Sequence, residues 1–213
     1  EMKDILNEIV ANKRLEVTDH KRQVSYKELE KLVETCMLPI YSMKEALQNS
    51  TSGIIAEFKR RSPSKGWINQ SADANAITKD YENAGAAVLS VLTDEKYFGG
   101  TLHDLESATQ QVNIPAMRKE FIVDEYQILQ ARLSGASAIL LIAAALSKEE
   151  NLRLTRFAQQ LGMDVLLELH DESEIEYVNP ENDIVGINNR NLGTFVTDIQ
   201  KSYKMIDLLP REA

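Results

Sequence analysis

Apolar residues fall along this chain in two textures, and the change comes at Gly53. Before it, Ile5, Ile9 and Leu15 make an apolar stripe in a charged background, which predicts a first helix. Ser25-Tyr26-Lys27-Glu28 has the form of a capping box ahead of Leu29, Leu32 and Val33, so a second helix is expected to start near residue 26. A shorter helix over 43–48 precedes the turn Ser50-Thr51-Ser52-Gly53.

After Gly53, short apolar runs alternate with longer amphipathic stretches. The runs cover 54–58, 86–92, 114–117, 138–143, 165–169 and 184–187. Helix candidates lie between and after them at 75–84, 102–111, 125–134, 148–161, 172–178 and 198–208. Gly85, Gly135 and Gly162 stand where helix C-caps are expected. Six β–α units in series predict an α/β fold with a parallel sheet, and near-continuous apolar strands predict a sheet covered on both faces. A doubly wound sheet and a barrel both remain open. The absence of Gly-x-Gly-x-x-Gly after the first run counts against a dinucleotide-binding sheet. No linker or low-complexity segment divides the chain, so 1–213 reads as one domain with 1–50 as a helical extension.

The net charge is -9, from 24 Lys and Arg against 33 Asp and Glu, which argues against non-specific nucleic-acid binding. A local basic cluster for a small anion stays compatible with it. Cys36 is the only cysteine, so no internal disulfide can form, and its apolar setting reads as a packed thiol in a reducing compartment. No run approaches the ~18 apolar residues of a membrane span, and the expectation is a cytoplasmic protein without membrane partners.

The candidate chemistry gathers at the C-terminal ends of the apolar runs. The first ends in Glu57-Phe58-Lys59, the third in Arg118-Lys119-Glu120, and the sixth in Asn188-Asn189-Arg190, while the fifth carries Glu168. A parallel sheet or barrel brings these ends to one rim, where active sites are built. Glu57 and Lys59 are two residues apart and share a face. Alone, the pair reads equally well as a structural rim ion pair, Lys119 reads better as a solvated surface lysine, and Glu168 reads equally well as a satisfied carboxylate beneath a loop. Four strands with polar groups at the same end do not read as core packing, because an unpaired buried charge is costly. The loop Arg60-Arg61-Ser62-Pro63-Ser64-Lys65-Gly66 suits an anionic group, and Tyr97-Phe98-Gly99-Gly100 reads as a flexible aromatic loop or a plain turn. His20, His103 and His170 show no metal-ligand spacing, and His170-Asp171 reads as the neighbourhood of a helix N-cap.

Ile55-Ala56-Glu57-Phe58-Lys59-Arg60-Arg61-Ser62-Pro63-Ser64-Lys65-Gly66 resembles the first-strand signature of the indole-3-glycerol phosphate synthases. Matches follow in order at 90–100, 118–127, 138–142, 168–172 and 186–192, and they span essentially the whole chain. The resemblance implies a (β/α)8 TIM barrel with extra N-terminal helices. It implies closure of the indole ring of 1-(2-carboxyphenylamino)-1-deoxyribulose 5-phosphate with loss of carbon dioxide and water, in tryptophan biosynthesis, without cofactor or metal. Lys119 would then be a general acid at the ribulose carbonyl, a role a lysine serves if neighbours and partial burial bring its pKa toward neutrality. Glu168 would assist proton transfer in the dehydration. Lys59, held by Glu57, would position substrate and donate a proton, and Asn188 would hold the reacting hydroxyl and anilino groups. Ser62 and Arg190 would lie near the phosphate and carboxylate, and Phe98, Phe121, Leu140, Ile142 and Leu192 would wall the anthranilate ring.

The chain departs from the family pattern at Met117, usually Leu, and Glu120, usually Asp. Only six β/α units are legible where the barrel has eight, so the chain reads as truncated after the sixth, without the loops that hold phosphate. A longer chain, a fragment, or a second chain supplying the strands would each account for this. A full barrel is expected to be a monomer, and six strands alone to associate through two open edges. Another ribulose-phosphate barrel enzyme, an isomerase or a Schiff-base lyase using Lys119, and a non-catalytic barrel fragment are the competing readings.

Overall fold

The computed structural model describes residues 2–190, 197–211 and Ala213. Three helices come first: α1 (Met2–Gln23), α2 (Tyr26–Glu34) and α3 (Met43–Asn49). The capping box at Ser25 forms in full, with Glu28 answering the cap backbone. The strands are β1 (Ile55–Phe58), β2 (Arg61–Ser62), β3 (Gly66–Trp67), β4 (Val88–Leu92), β5 (Ala116–Lys119), β6 (Ala138–Ile142), β7 (Asp164–Leu169) and β8 (Ile184–Ile187). Helices α4 (Ala74–Asn83), α5 (Leu102–Thr109), α6 (Glu125–Leu133), α7 (Lys148–Gln160) and α8 (Ile199–Leu208) alternate with them. The stretch after β7 is a 3-10 helix, Glu172–Tyr177, rather than the expected α-helix.

Eight strands are therefore present where six apolar runs were legible. The added pair, β2 and β3, forms a separate antiparallel hairpin joining Arg61 to Trp67 and Ser62 to Gly66. Two-residue strands leave no run for periodicity to detect.

The six remaining strands form one parallel sheet in the order β1-β4-β5-β6-β7-β8. Each pairs with the next in the chain. A doubly wound sheet reverses order at a switch point, and this sheet does not; it progresses in one sense, as the wall of a half-barrel does.

Alternation along each strand sorts the two faces. Leu89, Val91, Ile139, Leu141 and Val165 pack outward against Leu105, Ile128, Leu154 and Ala158 of the helices. The inward series begins apolar, with Val88, Met117, Ala138, Leu140 and Leu166, and Met43 of α3 is buried against this floor. Two residues further along β1, β5 and β7 the same face presents Glu57, Lys119 and Glu168. The strand period alone carries the charged groups onto the concave face.

α1 lies across that face. Its buried positions are Leu6, Ile9, Lys13 and Val17, while Leu15 is 67% exposed. The stripe thus follows three- and four-residue steps through Lys13, not the path to Leu15 that apolar residues alone suggest.

The loop after β4 forms a turn closed by local hydrogen bonds. Asp94 accepts from the backbone N–H of Tyr97 at 2.7 Å, and its own carbonyl accepts from Gly100 N–H at 2.8 Å. A Cβ built on Gly100 would stand 2.0 Å from the Leu92 carbonyl oxygen. Gly100→Ala is expected to lower stability by about 1–3 kcal/mol, the usual cost of overpacking. An unchanged urea midpoint would show that the loop yields without strain.

Candidate active site

Glu57 is the hub of the concave face. Lys119 on β5 places Nζ 2.8 Å from Glu57 Oε2, and Lys59 places its own 3.4 Å from Oε1. Ser90, on the intervening strand β4, lies level with Glu57 and donates its hydroxyl to Oε2 at 3.3 Å. A small side chain there lets Lys119 reach across β4 to β1. The tightest partner of Glu57 is thus Lys119, two strands away, and not the Lys59 that sequence proximity suggests.

Burial opposes the charge on both Glu57 and Lys119, and their mutual attraction outweighs it. Lys119, with Glu57 and Glu168 beside it, is held above the usual lysine range. Glu57, with Lys119 and then Lys59 as partners, is held below the usual carboxylate range. This corrects the expectation that Lys119 is tuned toward neutrality. A partly buried ammonium beside two carboxylates keeps its proton.

Glu168 faces the same cleft from β7, and Asn188 Nδ2, just past β8, stands 3.4 Å from its Oε1. Asn188 Oδ1 also accepts from Arg190 N–H at 3.0 Å. His170 Nε2 is 3.4 Å from Glu168 Oε2. Asp171 caps the following 3-10 helix by accepting from Ser173 N–H, so His170 sits beside an N-cap as expected.

One cleft brings together Glu57, Lys59, Ser62, Phe98, Lys119, Phe121, Ile142, Glu168, Asn188 and Arg190. Phe98 and Phe121 rings are 6.0 Å apart. Leu140 lies deeper, in the apolar floor with Phe121 and Ile142. Leu192 falls outside the described residues.

The cations at the end of β1 take other tasks. Arg60 makes a two-pronged pair with Asp104, caps the Ala72 carbonyl and lies over Phe58. Arg61 lies over Trp67, 5.5 Å from its centroid. Only Ser62, Pro63 and Ser64 of that loop line the cleft.

Ile5, Leu6 and Ile9 of α1 form the opposite wall; the sequence had marked Ile5 and Ile9 only as a helix face, and had not singled out Leu6. Beneath that wall, buried Lys13 reaches Asp94 at 2.7 Å and Glu120 at 3.1 Å. Glu120 also accepts from the Thr93 hydroxyl and the Phe121 N–H, both at 2.8 Å. The cluster ties α1 to the loops that carry Phe98 and Phe121. A lysine at an apolar step of the α1 stripe was the available signal for it.

The family model for indole-3-glycerol phosphate synthase matches residues 6–213. The chain belongs to that family. It is 52% identical over 212 residues to the indole-3-glycerol phosphate synthase of Bacteroides thetaiotaomicron, covering 100% of this chain and 81% of that protein. With the Neisseria meningitidis serogroup B protein of the same name the identity is 44%, covering 98% of this chain and 82% of the relative. With the Prochlorococcus marinus (strain MIT 9215) protein it is 41%, covering 97% and 71%. The YdjI aldolase of Escherichia coli K12 superposes with a TM-score of 0.53 at 19% identity, over 80% of this chain and 69% of the aldolase, a likeness of fold alone.

As an indole-3-glycerol phosphate synthase family member, the chain departs from the usual pattern at two residues that take ordinary places. Met117 packs in the apolar floor. Glu120 spends its longer side chain on Lys13, Thr93 and its neighbour's N–H.

Proposed function

We propose that this chain closes the indole ring of 1-(2-carboxyphenylamino)-1-deoxyribulose 5-phosphate, releasing carbon dioxide and water, as a lyase of tryptophan biosynthesis. The observation that carries the reading is the set of ion-paired and hydrogen-bonded groups, Glu57, Lys59, Lys119, Glu168 and Asn188, converging on one cleft with aromatic walls. Family membership supports it.

Ring closure requires the ribulose carbonyl to become electrophilic as the aromatic carbon attacks. Lys119 serves as the acid there, and its protonated state suits that role. Glu57 keeps Lys119 charged and pointed across β4. Glu168, steadied by Asn188, takes part in the later proton transfer. Lys59 positions substrate at the rim and is the second proton donor. Asn188 also holds the reacting hydroxyl and anilino groups. Phe98, Phe121 and Ile142, with Leu140 below, hold the anthranilate ring. Ser62 and Arg190 face the anionic ends of the substrate. A Schiff-base lyase would need a neutral Lys119 amine, which the Glu57 pair disfavours.

The same reading takes the six-stranded sheet as the wall of a (β/α)8 barrel. Among the described residues β1 and β8 pair on one side only, and a sequential parallel strand order supports that reading. We further propose a cytoplasmic monomer that takes a small phosphorylated substrate and binds neither nucleic acid nor membrane. Among the described residues no helix is long and apolar enough to cross a membrane.

The test is indole fluorescence on mixing the chain with that substrate. Growth of the signal in proportion to enzyme supports the reading, and a folded chain that yields no product overturns it. Glu57→Gln adds a second check. Without the carboxylate, burial pulls the Lys119 ammonium down, so the alkaline limb of the rate profile should move to lower pH. The rate near neutrality should fall roughly 10–100-fold, the worth of a charge-assisted hydrogen bond. An unmoved alkaline limb would separate Glu57 from the acid.

A further inference from the structure

We propose that His170 is a positioning residue for Glu168, donating Nε2–H to the carboxylate oxygen that Asn188 leaves unbound. The inference rests on the reading of Glu168 as a reacting group given above.

Glu168 and His170 are two residues apart at the end of β7, so both side chains turn to the same side. Asn188 stands by Oε1 of Glu168, and the imidazole Nε2 stands 3.4 Å from Oε2. The two partners approach the carboxylate from opposite oxygens and so define its plane. Asn188 is itself placed there by its backbone N–H, which donates to the Leu169 carbonyl at 2.8 Å.

The His170 side chain is only 9% exposed. Neither ring nitrogen makes a properly directed hydrogen bond among the described residues. A buried imidazole normally finds partners for its polar atoms. The Glu168 carboxylate is within reach of a small ring rotation. The backbone is anchored on both sides of the ring: His170 N–H donates to Glu174 Oε2 at 3.1 Å, and Asp171 caps the next helix. Those anchors leave ring rotation as the freedom that remains.

The charge state fits a neutral donor. Burial pushes the imidazole below its ordinary value, Glu168 opposes this, and Lys201 and Lys119 add to the downward push. The adjoining segment adds Asp171, the N-cap of the 3-10 helix, and Glu174, whose carboxylate accepts from the His170 backbone N–H. A neutral imidazole can donate through one nitrogen only. Donation through Nε2 stabilises Glu168 as an anion without placing a second cation next to Lys119. A protonated imidazole would compete with Lys119 for the same carboxylate.

The experiment joins nitrogen-15 NMR of the imidazoles with rate profiles of three variants. His170→Gln assigns the His170 resonances, and its side-chain amide nitrogen reproduces the Nε2 donor. His170→Leu removes the donor, and His170→Asn places its amide too short to reach Glu168. The expected results are an Nε2–H tautomer and a titration below that of an exposed histidine. His170→Leu should lower kcat about 10-fold, the scale of one hydrogen bond to a charged group. Its acid limb should move to higher pH, because the carboxylate has lost a donor. His170→Gln should keep kcat and the acid limb close to the parent. If His170→Leu fails to fold, the contrast between Gln and Asn decides. An Nδ1–H tautomer, or Gln losing as much as Leu or Asn with an unmoved acid limb, overturns the proposal. A parent chain that makes no indole product refutes the functional reading instead, and the tautomer still reports on the His170–Glu168 bond.

Discussion

Lys119→Ala is expected to lower the rate of indole formation by about 10²–10⁴-fold, the range for loss of a positioned proton donor. The fold should survive, because Lys119 is 31% exposed and its truncation opens no deep cavity. Glu57 keeps Lys59 and the Ser90 hydroxyl as partners, and Glu168 keeps the Asn188 amide. The measurement is kcat by indole fluorescence, with circular dichroism as the control. Loss of rate with an intact spectrum isolates the chemistry. A rate within about an order of magnitude of the parent falls short of what such a donor supplies and would remove Lys119 as the acid.

The second large effect concerns stability. Lys13→Met keeps the length of the side chain and removes its charge. Asp94 is fully buried and Glu120 is 2% exposed, and both then lose their nearest cation. Breaking a buried ion cluster from one side costs about 3–5 kcal/mol, since the remaining charges stay buried. That is a large share of a typical domain's 5–15 kcal/mol. The melting temperature should fall by roughly 10 °C for a chain of this size.

Lys13 also predicts an alkaline weakness. Burial opposes its charge, but Glu120, Asp94 and Glu16 more than compensate and raise its pKa above the ordinary 10.5. A raised cation stabilises fully below its unfolded value, and the contribution is lost as pH climbs through the folded one. The parent should lose stability above about pH 10 more steeply than Lys13→Met. Equal alkaline slopes and equal melting temperatures would show that the cluster contributes nothing net. Because the cluster holds the loops of Phe98 and Phe121 to α1, the variant should also raise KM more than it lowers kcat.

Much of this protein was legible in one dimension. All six strands of the sheet overlap the apolar runs, with β5 set two residues later than its run, and the runs' charged ends became the cleft. Covalent alternation is the reason. A strand two residues longer than its apolar floor must present its next inward residue at the rim, as β1 does with Glu57 and β7 with Glu168. The capping box at Ser25 was equally local, and it formed as written. What the sequence left undecided were partnerships across elements. Lys119 pairs with a glutamate 62 residues earlier, and Lys13 with an aspartate 81 residues later. Neither follows from spacing, because each depends on sheet register and on where α1 crosses the strands. The pKa of Lys119 turned on that geometry as well: burial alone would have lowered it, and the carboxylates that raise it come from β1 and β7. Local periodicity determines which residues face inward. Only the packed sheet, with the low dielectric that packing creates, decides which charges meet and which protons they keep.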